Sequence, residues 1–351
     1  MARTALIAGA TGAASKRLVE VLLEDKAWSV IGLSRNPPKS TRERLRYVAA
    51  DLLDAKSCAD AVRGLREVTH VFYCARAKFG EGGVEAVPEN VAMLRNVLDA
   101  VEAAAPGLEH VHLVEGTKWY GMHIGSMQTP AREDDERHMP PNFYYDQEDL
   151  LRERQPGQRW TWSASRPNFI YDFAPERPRN LVSTIGAWAA ILKELGLPFD
   201  FPGRPGGFTA LCELTDATQL ARAMAWMATA PAARNQAYNV TDGGLIRWRR
   251  LWPRLAEHFG MKVGEARPLT LGQWMNDKRP VWDRIVAKHG LKPTRMDDVA
   301  LWPFADFLWG REQDVISSVL KLRQHGFHDT VDSEEQILSY LRRYREERIL
   351  P

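Results

Sequence analysis

Two stretches of this 351-residue chain hold residue types that could act on a bound dinucleotide and a small substrate. The first is Gly9-Ala-Thr11-Gly12-Ala13-Ala-Ser15. Glycines there let the backbone approach a pyrophosphate, whose charge is stabilised by the free N–H groups and dipole of a helix start. Ser15 stands where such turns usually carry a third glycine for close helix and strand packing, and it is small enough to fit. The second is a lysine and a tyrosine in separate segments, Gly116-Thr-Lys118-Trp119-Tyr120 and Asn142-Phe-Tyr144-Tyr145-Asp-Gln-Glu-Asp149. An ammonium beside a phenol lowers its pKa, so the phenol can donate a proton or carry negative charge. No tyrosine is followed four residues later by lysine, so either the chain is a non-catalytic relative of such enzymes or the pair comes from separate segments.

The elements needed to hold these residues are legible as alternating strands and helices. Ala5–Ala8 reads as a buried strand, followed by the glycine turn and a helix with Leu18, Val19, Leu22 and Leu23 at helical spacing. Further strands are expected at 28–33, 47–50, 69–74, 110–114 and 160–165, with helices at 56–65, 89–104 and from about Asn142. Strands apolar on both faces and alternating with helices specify an α/β fold: a Rossmann-like, doubly wound parallel sheet. The later part reads as a smaller, mainly helical lobe, with helices at 180–195, 215–228, 248–259, 281–289 and 334–347 and an irregular loop at 201–207. Residues 1–175 are thus expected to form the dinucleotide-binding domain and 176–351 a substrate lobe with segments returning to the sheet. Strand ends on the carboxyl side of such a sheet are where ligands bind. The second strand ends Ser34-Arg35, where an acid would select NAD; a guanidinium suits a 2′-phosphate, so NADPH/NADP+ is the expected cofactor. Asp51 and Leu52, after the third strand, are expected at the adenine edge.

The segments GTKWY and NFYYDQED, followed by Ser165-Arg166-Pro167, resemble the progesterone 5β-reductase and iridoid synthase family, an atypical branch of the extended short-chain dehydrogenases. The similarity extends to Asn235–Asp242, Pro280–Trp282, Trp302–Phe304 and His325–Phe327. The resemblance implies that Lys118 and Tyr144 are the catalytic pair and also touch the cofactor, together with Pro167, Phe169 and Ile170. It implies NADPH-dependent reduction of the activated C=C bond of enones and enals. Hydride added to the β-carbon leaves an enolate, which Tyr144 would stabilise by a hydrogen bond, with Lys118 favouring the phenolate and holding the ribose. Trp119, His123, Tyr145, Trp188 and Phe304 are expected at the substrate. The chain departs from the family's pattern at Gly121-Met-His-Ile-Gly125, where a Gly-Pro-Phe stretch is usual, in a shorter link between the two motifs, and at Asn168-Phe169 in place of Gly-Asn.

Composition bounds the partners. Lys plus Arg is 47 and Asp plus Glu 45, a formal charge of +2, so no strong field points to nucleic acid or an anionic membrane. A small uncharged enone or enal fits this balance, and a homodimer is the assembly to test. Three separated cysteines and no long apolar run are those expected of a cytoplasmic chain without signal or span. His110 and His112 alternate on a strand without a third ligand nearby and read as satisfied sheet histidines rather than a metal site. Glu133-Asp-Asp-Glu136 reads as a solvated loop. Twelve tryptophans exceed the usual share of about one per hundred, and Trp188, Trp302 and Trp309 are expected around an apolar pocket. Two rival readings remain on the same fold: a carbonyl reductase or nucleotide-sugar epimerase, which ordinarily shows Tyr-x-x-x-Lys, and a non-catalytic NADP(H)-sensing regulator.

Overall fold

The computed structural model describes every residue except Met1, Thr41, Phe79, Glu81 and Gly82. Its strands β1 (Arg3–Ala8), β2 (Trp28–Ser34), β3 (Leu45–Ala49), β4 (His70–Tyr73), β5 (His110–Val114), β6 (Thr161–Pro167) and β7 (Gln236–Val240) form, among the described residues, a seven-stranded sheet in the order β7-β6-β5-β4-β1-β2-β3. Every pairing in it is parallel. The order reverses at β1, which pairs with both β2 and β4, so the connections leaving β1 and β4 diverge to opposite faces and open a crevice at the carboxyl edge. The longer helices, in chain order, are α1 (Ala13–Glu24), α2 (Ala55–Val62), α3 (Val87–Ala104), α4 (Phe143–Arg154), α5 (Leu181–Glu194), α6 (Ala217–Met227), α7 (Trp248–Phe259), α8 (Arg279–His289), α9 (Trp302–Trp309) and α10 (Ser333–Glu346).

The chain divides into two compact units. The sheet unit comprises Met1–Asn168, Ala217–Thr241 and Ser317–Asp329. Helices α2, α3 and α4 cover one face of the sheet, where Val97, Leu98, Leu150 and Leu151 bury against Val71, Val111, Leu113 and Trp162. Each such side chain contributes about 1.5–3 kcal/mol on leaving water. Helices α1 and α6 pack on each other. The expected helix at 215–228 was placed in the lobe; it belongs instead to the sheet unit, because it is the crossover that delivers β7. That last strand escapes a reading of Asn235-Gln-Ala-Tyr-Asn-Val as polar and mixed, yet its Ala237, Tyr238, Asn239 and Val240 are all buried.

The second unit comprises Phe169–Asp216, Asp242–Ile316 and Thr330–Pro351. Helix α5 is buried almost throughout, as its apolar sequence requires. Its neighbourhood answers the tryptophan excess: Phe199 stacks on Trp252 at 4.4 Å, and Trp248, Trp252, Trp309 and Phe201 meet edge to face or tilted at 5.1–6.4 Å. Trp188, Trp302 and Trp309 are at most 5% exposed and belong to this core rather than to a pocket wall. The stretch expected as an irregular loop begins in a short strand, Phe199–Phe201, and ends in a helix, Pro205–Thr209. Its glycines reflect close packing as well as turning. No described helix is long and apolar enough to cross a membrane.

Candidate active site

The glycine turn is built as its residues require. Gly9 has φ of +79°, and a Cβ on it would lie 2.9 Å from Cα of Ala75 after β4, so both conformation and space exclude a side chain. Gly12 precedes α1, whose start has no side-chain cap and no acid in its first turn, leaving N–H groups and a positive dipole end facing outward. The buried Ser15 hydroxyl donates to the Gly9 carbonyl at 2.9 Å, which ties helix to turn where a third glycine would otherwise stand. Thr11 and Ala13 flank Gly12 on this turn. The donor set and the bare approach fit a dinucleotide pyrophosphate. Ser34 ends β2, its hydroxyl donating to the Asn36 carbonyl at 3.3 Å, and Arg35 beside it is exposed. Asp51 is exposed after β3 and takes the Leu53 N–H, while Leu52 is buried and its carbonyl accepts from Asn96.

Beyond β5 the chain turns at Gly116 into a single 3₁₀ turn, Thr117–Tyr120. Lys118 on that turn is mostly buried; its Nζ makes an ion pair with Glu85 at 2.6 Å and lies 3.8 Å from the Phe143 ring centroid and 4.6 Å from that of Tyr144. Burial lowers the Lys118 pKa and the Glu85 carboxylate offsets it. A Cβ on Gly116 would stand 3.5 Å from the Tyr144 hydroxyl and 3.3 Å from the Pro167 carbonyl that ends β6. Asn142 joins the two segments: its Oδ1 accepts from the Tyr144 N–H at 3.2 Å, capping α4, and its Nδ2 donates to the Lys118 carbonyl at 3.0 Å. The two residues named from separate motifs thus meet beyond the carboxyl end of β5, the strand next to β4.

Other expected contacts fare differently. Tyr145 is buried, its hydroxyl donating to the Trp119 carbonyl at 2.5 Å and accepting from the His138 N–H at 2.9 Å, and Trp119 is 4% exposed, edge-on to Tyr145. Both serve packing here, as does Trp188, whose indole donates to the Asp200 carbonyl. His123 and Phe304 stay half-buried, the latter under the Arg179 guanidinium. Pro167 is buried; Phe169 and Ile170 begin the second unit, and Phe169 has φ of +34°, which costs a non-glycine residue on the order of 1–3 kcal/mol. His110 and His112 bond the hydroxyls of Thr161, Ser163 and Ser165 with all four ring nitrogens. Glu133, expected in a solvated loop, instead reaches inward, its carboxylate accepting from the Asn239 N–H at 2.9 Å.

Sequence reading missed the acids around the pair. Glu85 holds Lys118, and Glu115 and Glu148 hold Arg166 within the sheet unit. Glu148 stands four residues after Tyr144, where a Tyr-x-x-x-Lys lysine would be. The only sequence signal was negative: an acid at a helix position facing the core needs a buried cation, and Arg166 on a buried strand is one.

Comparison with known proteins bears on the family and the fold. Residues 41–349 match the PRISE-like Rossmann-fold domain. The chain is 36% identical to (S)-8-oxocitronellyl enol synthase of Nepeta racemosa, over 99% of this chain and 93% of that one. It is 34% identical to the 3-oxo-Delta(4,5)-steroid 5-beta-reductase of Arabidopsis thaliana, over 99% and 93% respectively. Among solved structures, a short-chain dehydrogenase/reductase superfamily protein from Agrobacterium tumefaciens with bound NAD superposes with a TM-score of 0.68 at 14% identity, covering 99% of this chain and 98% of that one. This last likeness is one of fold.

Proposed function

The chain belongs to the PRISE-like Rossmann-fold family of oxidoreductases, and from that premise we propose that it reduces the activated C=C bond of a small uncharged enone or enal with NADPH. The observation that carries the reading is the meeting of Lys118 and Tyr144, from two segments, at the carboxyl edge of the sheet that also carries the Gly9 turn. The relatives' names point the same way, one a steroid 5-beta-reductase and the other an enol synthase.

Gly9, Thr11, Gly12 and Ala13 would hold the pyrophosphate, Ser34 and Arg35 the 2′-phosphate, and Asp51 and Leu52 the adenine. Lys118, Tyr144 and Pro167 would hold the nicotinamide ribose end. The bound cofactor supplies a hydride. Tyr144 then acts on the substrate: its hydroxyl donates to the carbonyl oxygen, where charge collects as the double bond is reduced. One such donor is worth roughly 2.7–4 kcal/mol at the transition state. Lys118 lies next to that phenol, and its ion pair with Glu85 opposes the lowering of its pKa by burial. The α-carbon can take its proton from water.

NADPH consumption should be measured with 2-cyclohexen-1-one, progesterone and an acyclic enal panel. Turnover with at least one is expected, and Tyr144→Phe should lower kcat by at least about tenfold with the NADPH Kd little changed. No oxidation across the panel would favour an NADP(H) sensor. Full activity in Tyr144→Phe would remove Tyr144 from the reaction.

A further inference from the structure

Behind Lys118 and Tyr144, within the sheet unit, lies a charged cluster closed off from water. The Arg166 side chain on β6 is 1% exposed; its Nε donates to Glu115 at 2.8 Å and its Nη2 to Glu148 at 2.9 Å, both carboxylates at most 2% exposed. Its Nη1 donates to the Tyr120 hydroxyl and to the Glu133 carbonyl, each at 3.2 Å. The guanidinium carbon lies 3.6 Å from the Trp119 ring centroid. Glu115 precedes Lys118 by three residues and Trp119 follows it directly, whereas Glu148 sits one helical turn after Tyr144 on α4. One planar fork therefore grips both segments that carry the pair.

We propose that Arg166 is a positioning residue: braced by Glu115 and Glu148 and stacked on Trp119, it sets the placement of Lys118 relative to Tyr144. The proposal rests on the reading of those two residues as the reacting pair. A buried ion triad is a poor source of stability, since apolar residues of similar volume usually serve as well or better. What a rigid fork with five fixed donors supplies is geometry, which a lysine in its place cannot. Misplacement of a reacting group by about 1 Å can cost on the order of a hundredfold in rate.

The cluster also has a charge state of its own. Burial, resisted by Arg166 and reinforced by Glu148, pushes the Glu115 carboxyl up to about 8. The charged and titratable groups facing it are Arg166 from β6, Glu148 from α4, Tyr120 from the 3₁₀ turn, and Arg137 from the segment between that turn and α4. Release of the Glu115 proton above about pH 8 adds a negative charge beside the arginine.

The test uses the full chain with NADPH and 2-cyclohexen-1-one. R166K should lower kcat at least about tenfold while the NADPH Kd stays within about threefold, and E115Q should restore most of what E115A loses. The wild-type kcat profile should bend near pH 8 and that of E115Q should not. Wild-type kcat in R166K, or equal losses in E115A and E115Q, would overturn the proposal. If R166K does not fold, the E115A and E115Q comparison decides alone. If the wild type reduces no enone, the functional reading fails by itself, and crystal structures of wild type and R166K decide this one: displacement of Lys118 or Tyr144 supports it, and unchanged positions sink it.

Discussion

In the reading proposed above, Arg35 is the side chain that selects the cofactor. It is exposed beside Ser34 at the end of β2, and no acid stands there to bind a ribose 2′-hydroxyl. Arg35→Glu should therefore weaken NADPH binding by at least about tenfold, or roughly 1.4 kcal/mol, and weaken NADH binding far less. Fluorescence titration with both cofactors reads this directly, and an unchanged NADPH Kd would remove Arg35 from the site. The segments that hold Lys118 and Tyr144 were legible in the same way, each at the end or start of an element, and the family resemblance singled out the two residues within them. Their acidic neighbours were not. Glu85, Glu115 and Glu148 look like ordinary surface acids until Lys118 and Arg166 are folded against them, because a buried charge is intelligible only through its partner.

At the level of elements, the site depends on how α4 begins. Asn142 is 1% exposed, caps α4 through the Tyr144 N–H and also holds the Lys118 carbonyl. Asn142→Ala should cost about 1 kcal/mol for the lost cap, and more for the buried carbonyl left without its donor, as measured by urea unfolding. Asn142→Asp keeps the acceptor that caps the helix but cannot donate to Lys118. It should recover part of the stability, and little of any kcat, that the alanine variant loses. Equal stability of wild type and Asn142→Ala would show that the cap is not needed. The start of α4 near Asn142 could be read from residue types, since asparagine before an apolar pair is a capping signal. The bond from its amide to the 3₁₀ turn could not, because it links segments far apart in the chain.

Across the whole molecule, the central sheet carries a consequence of its own. His70, His110 and His112 lie buried in it, and burial holds the His70 pKa down at about 4, His112 at about 3 and His110 well below its usual value. Each folded-state value is depressed, so between pH 6.5 and those values the unfolded chain binds protons that the folded chain refuses. The stability they contribute is complete above about pH 6.5 and is lost as pH falls through 4. Glu115 acts in the opposite sense, contributing stability below its unfolded value of 4.5 that is lost as pH rises through about 8. Thermal unfolding of E115Q should therefore show Tm falling steadily from pH 6.5 to 4, and the three imidazole rings should remain neutral by NMR at pH 5. A Tm that is flat over that range, or rings that titrate near 6.5, would contradict the assignment. By itself the sequence determined the alternating fold, the glycine turn and the two segments that meet beyond β5, since periodicity, turn chemistry and strand-end position are local properties. Only the tertiary structure decided that 217–227 and 236–240 complete the sheet unit, that Trp188, Trp302 and Trp309 are core, and that Arg166 lies beneath the pair. Those outcomes depend on contacts between residues distant in the chain, and such contacts have no period to read.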